Sequence, residues 1–195
     1  MAKSDSVNCD ALLIGGSAGS LEVILKILPD IFLDITFAII IILHRKAGSD
    51  YLLADLLSSK TRLEVKEAEE KETIVNATIY LAPPNYHLLF ERDRTFSFDA
   101  SEKVNFSRPS IDVSFQSAAE VYREKLVCVL LSGANADGAE GLQWVKNYGG
   151  KALVQDPGSA VMPFMPEFAR MNVQLDEILL IEQMAAYINS LSKRQ

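Results

Sequence analysis

The chain is poor in the residues that several functional classes depend on. It holds only two histidines, His44 and His87, and two cysteines, Cys9 and Cys128, in 195 residues. Both cysteines sit inside or beside strand-like apolar runs, where a small, buried, reduced thiol is expected rather than a disulfide partner or a metal ligand. No apolar run approaches the ~20 residues that cross a bilayer. The longest segments, such as Phe37 to Leu43, are far shorter, and the N-terminus MAKSDSVNCD lacks a basic-then-apolar pattern, so a soluble, cytoplasmic chain without membrane insertion is expected. Positive charge is also short: 19 Lys and Arg stand against 26 Asp and Glu, a net charge of −7. With no basic stripe interleaved with aromatics, nucleic acid is not the expected partner. There is no internal repeat, no low-complexity linker beyond the loop near Asp99 to Ser107, and no break in composition. One domain over residues 1–195, with a core at about 7–192, follows.

What is present is an alternation of two periods. Strand-like runs at Ala11 to Ile14, Phe37 to Leu43, Ile74 to Leu81, Leu126 to Leu131 and Ala152 to Val154 alternate with helical patterns. The unbroken Ile39 to Ile42 run suits a strand covered on both faces. Leu21 to Leu28 has helical spacing, and Ser49 or Asp50 can cap a helix carrying Leu52, Leu53, Leu56 and Leu57. Pro109 and Ser110 open another, with Ile111, Phe115, Ala118 and Tyr122 on one stripe, and Asp137 opens a fourth that Gly149 and Gly150 end. Leu88 and Phe90 face Phe96 and Phe98 across a polar turn, which predicts an antiparallel hairpin. A short strand after Asp176 and a helix bearing Ile181, Met184, Ile188 and Leu191 close the chain. The charge run Glu64 to Glu72 reads as a solvated edge and turn. The expected fold is therefore α/β: a doubly wound, mostly parallel sheet with helices on both faces and an antiparallel hairpin inserted.

Three of the apolar runs end on residues that a hydrolytic triad needs. Gly15-Gly16-Ser17-Ala18-Gly19 fits G-x-S-x-G between a strand and a helix, where a sharp turn exposes the hydroxyl. The N–H of Ala18 and the start of the following helix would face an oxyanion there. The same glycine-rich turn suits a phosphate, so it does not settle the chemistry alone. His44 ends the Phe37 to Leu43 run, just before Arg45 and Lys46, and is the candidate base. His87, at the start of the hairpin, is expected to be structural or at the rim. Asp137 lies in Ser132-Gly133-Ala134-Asn135-Ala136-Asp137-Gly138, where it is both a candidate orienting acid and a natural helix N-cap. Asp112, in the first turn of a helix, is the rival acid. In an open α/β sheet the crevice lies beyond the carboxyl ends of the strands, where three such residues can converge.

The order Ser, His, Asp differs from that of α/β-hydrolases. From about Ala11 to about Met171 the chain instead resembles the catalytic domain of chemotaxis receptor methylesterases of the CheB type. The resemblance is carried by GGSAGS (Gly15 to Ser20), His44, YLAPPNYH (Tyr80 to His87), RPSIDVSF (Arg108 to Phe115), DGAEGL (Asp137 to Leu142) and QDPGSAVMPFMPEFA (Gln155 to Ala169). RPSIDVSF and DGAEGL, in that spacing, are the specific segments. The resemblance implies removal of methyl groups from glutamyl methyl esters on chemoreceptor cytoplasmic helices, with deamidation of receptor glutamines as a companion activity. It implies Ser17 as nucleophile, His44 as base and Asp137 as orienting carboxylate. Ala18 and Ala134 are expected at the oxyanion hole, His87 and Met165 at the rim of the cleft, and no metal or cofactor is required. The chain departs from the family's usual residues at Ala18 and Ser20, where the family has Thr and the second of two paired glycines, at Ala134 and Asn135, and at Leu43 and Arg45 beside His44. Members commonly carry a phosphorylatable receiver domain ahead of the catalytic one, and none is read before Ala11. Two rival readings are a non-catalytic module on the same fold that binds a receptor helix or a regulatory partner, and a phosphate- or nucleotide-binding α/β domain using the Gly15 to Ser20 turn. The oligomeric state is not legible.

Overall fold

The computed structural model describes residues 9–45 and 50–192. Its sheet has seven strands, all parallel, in the order β3-β4-β2-β1-β7-β8-β9. The central strands are β1 (Ala11–Gly16), β2 (Ala38–Leu43) and β7 (Leu126–Leu130), every residue of which is buried. Outward from β2 lie β4 (Thr78–Leu81) and β3 (Glu64–Glu67). Outward from β7 lie β8 (Lys151–Gln155) and β9 (Glu177–Leu179). The chain runs from β1 to β2 on one side and later adds β7 on the other, so the winding reverses at β1. That reversal opens a crevice at the carboxyl ends of β1 and β7.

Because successive strand residues point to opposite faces, the central strands feed two cores. Leu13, Ile40, Ile42 and Cys128 join α3 (Ile111–Tyr122), α4 (Ala139–Asn147) and α5 (Phe164–Asn172) through Phe115, Leu142 and Met165. Leu12, Ile14, Ile39, Ile41 and Val127 join α1 (Ser20–Ile27), α2 (Asp50–Ser58) and α6 (Ile181–Ser190) through Ile24, Leu57 and Ile188. The doubly wound sheet expected from the alternation is thus present. Cys9 and Cys128 are free and buried, and burial raises both thiols, which keeps them protonated. Among the described residues no helix is long and apolar enough to cross a membrane.

The hairpin of β5 (His87–Phe90) and β6 (Phe96–Asp99) forms a separate antiparallel pair. It packs on α3, where Ser114 donates to the Leu88 carbonyl and Ser117 accepts from the Phe90 N–H.

Three elements differ from the sequence reading. Glu64–Glu67, read only as an edge and turn, is a paired edge strand whose Lys66 meets Glu72 at 2.6 Å. Charged side chains suit such an edge, since they oppose further pairing. The run Ile74 to Leu81 becomes a strand only from Thr78, after a turn in which Ala77 has φ +57° and the Val75 N–H donates to the Tyr80 hydroxyl. Finally α5, where the sequence predicts no helix, starts behind Pro163 and tolerates Pro166 because first-turn N–H groups have no partner within the helix anyway. Of the expected cap pair on α2, Ser49 lies outside the described residues, as does Lys46.

Candidate active site

Ser17, His44 and Asp137 each follow a strand end of the central sheet, after β1, β2 and β7. The serine turn is tied to both neighbours. The Ser17 N–H donates to the Ser132 carbonyl at 2.9 Å, and the His44 N–H to the Gly16 carbonyl at 3.2 Å. Gly19 closes the turn with φ +83°, and a Cβ there would lie 2.6 Å from Cβ of Val161. Glycine is therefore required by both conformation and space.

Ser17 and His44 line a common pocket of about 300 Å³ with Ser20, Leu21, Leu43, Arg45 and leucines of α2. A larger, open cavity of about 740 Å³ lies between Pro29–Asp34 and Ser59–Arg62, where β2 and β3 begin. It sits at the amino ends of the strands, away from all three residues, so the smaller pocket is the one placed for chemistry.

The histidine and the acid are joined directly. His44 Nε2 lies 2.7 Å from Asp137 Oδ2, with the histidine side chain 11% exposed and the aspartate 0%. A buried carboxylate needs donors to stay charged. Asp137 receives them from the Ile111 N–H at 2.7 Å, the Asp112 N–H at 3.0 Å, the Ser110 hydroxyl at 2.8 Å and the Asn105 amide at 3.3 Å. Burial works to raise its pKa, but the hydrogen bonds from His44 and from the two N–H groups outweigh it and hold the carboxyl at about 2.

Asp137 does not cap the helix it precedes. The N-cap of α4 is Gly138, with φ +97° and no side chain of its own to cap the helix. Asp137 instead reaches the N-terminus of α3, whose own N-cap, Ser110, both receives the Val113 N–H and donates to Asp137. Asp112, the rival acid, does not face His44. Its carboxylate turns to α4, accepting from Gly138 N–H at 2.8 Å and Gly141 N–H at 2.7 Å. Burial and the adjacent Asp137 charge push the Asp112 carboxyl up to about 7.

Two residues expected at the rim lie beneath it. His87 is 1% exposed; its Nδ1 accepts from the Ser110 N–H at 3.1 Å and its Nε2 meets the Glu102 carbonyl at 2.9 Å. With both ring nitrogens engaged, it is a buried post behind Ser110. Met165 is fully buried, its N–H bonded to the Gly133 carbonyl and its thioether packed against Gly133. Ala18 and Ala134 are exposed at the two turns.

Residues that the sequence reading did not single out complete the frame. Ser132 is fully buried and donates to the Ala18 carbonyl at 2.7 Å while accepting from the Met162 N–H at 2.9 Å. Its own N–H goes to Gln155 Oε1 at 3.0 Å, so the buried Gln155 at the end of β8 fixes the seryl that fixes the Ser17 turn. A polar residue ending an apolar strand was the available clue. Asn105, in the loop before α3, had no such clue, since its role depends on two carboxylates from elsewhere.

Comparison with known proteins gives the family and the fold. Residues 12–188 match the family model described as CheB methylesterase. A putative protein-glutamate methylesterase/protein-glutamine glutaminase of Leptospira interrogans is 47% identical over 179 residues, covering 92% of this chain and 93% of that protein. A protein-glutamate methylesterase/protein-glutamine glutaminase of Methanosarcina barkeri is 34% identical over 186 residues, and the chain spans 51% of its length. The fold matches the crystal structure of the Thermotoga maritima CheB methylesterase catalytic domain with a TM-score of 0.90 at 30% identity, covering 95% of this chain and 100% of that one.

Proposed function

The chain belongs to the CheB methylesterase family, and from that premise we propose that it hydrolyses γ-glutamyl methyl esters on the cytoplasmic part of methylated chemoreceptors, using Ser17, His44 and Asp137. The observation that carries this reading is the 2.7 Å contact between His44 Nε2 and the buried Asp137, beside a pocket that His44 shares with Ser17. With Nε2–H donated to Asp137, Nδ1 is the ring nitrogen left to take the seryl proton.

In the proposed reaction Ser17 Oγ attacks the ester carbonyl carbon as His44 accepts its proton. The tetrahedral intermediate collapses, breaking the bond to methoxide, which leaves as methanol with the proton returned by His44. Water, deprotonated by the same imidazole, then attacks the acyl-enzyme, and the glutamate carboxylate leaves as the Ser17 hydroxyl is restored. The ionised Asp137 stabilises the imidazolium at each stage. The N–H of Gly133 is engaged by the Met162 carbonyl. The N–H groups of Ala18 and Ala134, on the exposed turns, are the ones proposed for the oxyanion. A receptor glutamine would follow the same course with ammonia as leaving group, matching the second activity named for the Leptospira relative.

The test is methanol release from methylated chemoreceptor cytoplasmic fragments. Ser17→Ala and His44→Ala are each expected to lower it by about 10⁴-fold or more, with receptor binding kept. Turnover that survives Ser17→Ala would refute the mechanism.

A further inference from the structure

Two helices meet at the active site, and each is capped by an acid that the other helix's end supplies. Asp137, just ahead of α4, accepts from the Ile111 and Asp112 N–H groups at the start of α3. Asp112, in the first turn of α3, accepts from the Gly138 and Gly141 N–H groups at the start of α4. Free N–H groups and a positive partial charge at each N-terminus make both positions favourable for a carboxylate. Asn105 bridges the exchange: its Nδ2 donates to Asp112 Oδ2 at 2.7 Å and to Asp137 Oδ1 at 3.3 Å. Gly141 permits the close approach, since a Cβ there would lie 2.7 Å from Phe115 Cβ and 3.0 Å from Asp112 Cα.

We propose that Asp112 is a positioning residue for this site: together with Asn105 it aims the Asp137 carboxylate at His44 and sets the negative charge that the imidazole faces. The proposal rests on the reading of His44 and Asp137 as base and orienting acid. An aspartate directly ahead of a helix ordinarily turns back to cap it. That would draw Asp137 away from His44. Asp112 takes over the capping of α4 and leaves Asp137 free to face across the crevice.

A neutral cap would serve that purpose, but a carboxylate adds charge. Asp112 faces Asp137 from the turn before α4, Asn105 from the loop before α3, and the Gly138 and Gly141 N–H groups from α4; His44 lies beyond Asp137. Among the described residues no cationic side chain is bonded to it. Its carboxyl sits at about 7, so near neutrality the pair passes between one negative charge and two.

The experiment compares the whole chain with Asp112→Asn and Asn105→Ala, reading the pH profile of ester hydrolysis and the NMR titration of the His44 ring. With only two histidines in the chain, that ring is readily assigned. Asp112→Asn is expected to lower kcat by about ten- to a hundredfold with KM within about twofold, and to move the inflection of both the rate profile and the His44 resonance to lower pH, because a negative charge near the imidazolium is lost. Asn105→Ala, which keeps both caps, is expected to shift that inflection, and it serves as the test if Asp112→Asn fails to fold. A rate loss with an unchanged pH profile and unchanged His44 titration would reduce Asp112 to a helix cap and overturn the proposal, as would full activity. Hydrolysis surviving Ser17→Ala would refute the triad reading separately, because the NMR titration reports on the carboxylate pair without turnover.

Discussion

Asp137 holds a charge in a place where burial alone would neutralise it. Five groups act on it: the His44 ring and four donors from Asn105, Ser110, Ile111 and Asp112. This makes the residue both chemical and structural, and the two roles separate by substitution. Asp137→Asn puts an amide NH₂ among groups that are themselves donors, so it is expected to cost about 1–3 kcal/mol of stability in addition to about 10⁴-fold in kcat. His44→Ala should lose comparable rate with a smaller fall in Tm, because the carboxylate keeps its four other donors. Denaturant unfolding of the two variants, set beside their turnover, checks the distinction. Equal stability losses would mean that the His44 contact, rather than the α3 terminus, holds the carboxylate.

The elements of the site are strand ends and helix starts, and the turn between β7 and α4 is the most constrained of them. Gly138 has φ +97°, and a Cβ there would meet Leu130 Cδ1 at 2.5 Å and Ile111 Cγ2 at 2.9 Å. Gly138→Ala is therefore strained in backbone and in packing, with an expected cost of about 1–3 kcal/mol. Since Asp137 is the preceding residue, activity should fall with stability. Thermal denaturation and ester turnover measured together test this; a variant as stable as the parent would show that the turn can relax. At this scale the sequence was legible where one period ran long enough. The apolar runs of β1, β2 and β7 and the stripe of α3 were read directly, because burial on both faces or on one stripe leaves a local pattern. The short edge strand Glu64–Glu67 left none, since an edge strand with solvent on its flank needs no apolar alternation. The hairpin was legible from Leu88, Phe90, Phe96 and Phe98, which alternate on either side of a turn.

For the whole molecule, the two acids of the crevice pull stability in opposite directions with pH. Asp137, held at about 2, is charged in the folded chain below the pH at which the unfolded chain loses its proton. Its contribution is complete above about pH 4 and is lost as the pH falls through its folded value. Asp112, raised to about 7, keeps a proton in the folded chain that the unfolded chain has already released, so stability declines as the pH rises from about 4 to about 7. Asp112→Asn removes the second effect. The parent is therefore expected to lose stability relative to that variant between pH 4 and pH 7, measurable by unfolding at both pH values. A difference that does not change with pH would contradict the buried, charge-opposed setting of Asp112. The sequence by itself determined the α/β alternation and the placing of Ser17, His44 and Asp137 after three strands, because hydrophobic period and glycine turns are properties of neighbouring residues. Only the tertiary structure decided where the polar atoms of these residues point. It turned Asp137 toward α3 and His44, sent Asp112 to α4, and buried His87 and Met165. Such choices depend on donors far off in the chain, as with His44 and Asp137, 93 residues apart, and a local pattern carries no record of which N–H group folding will bring near.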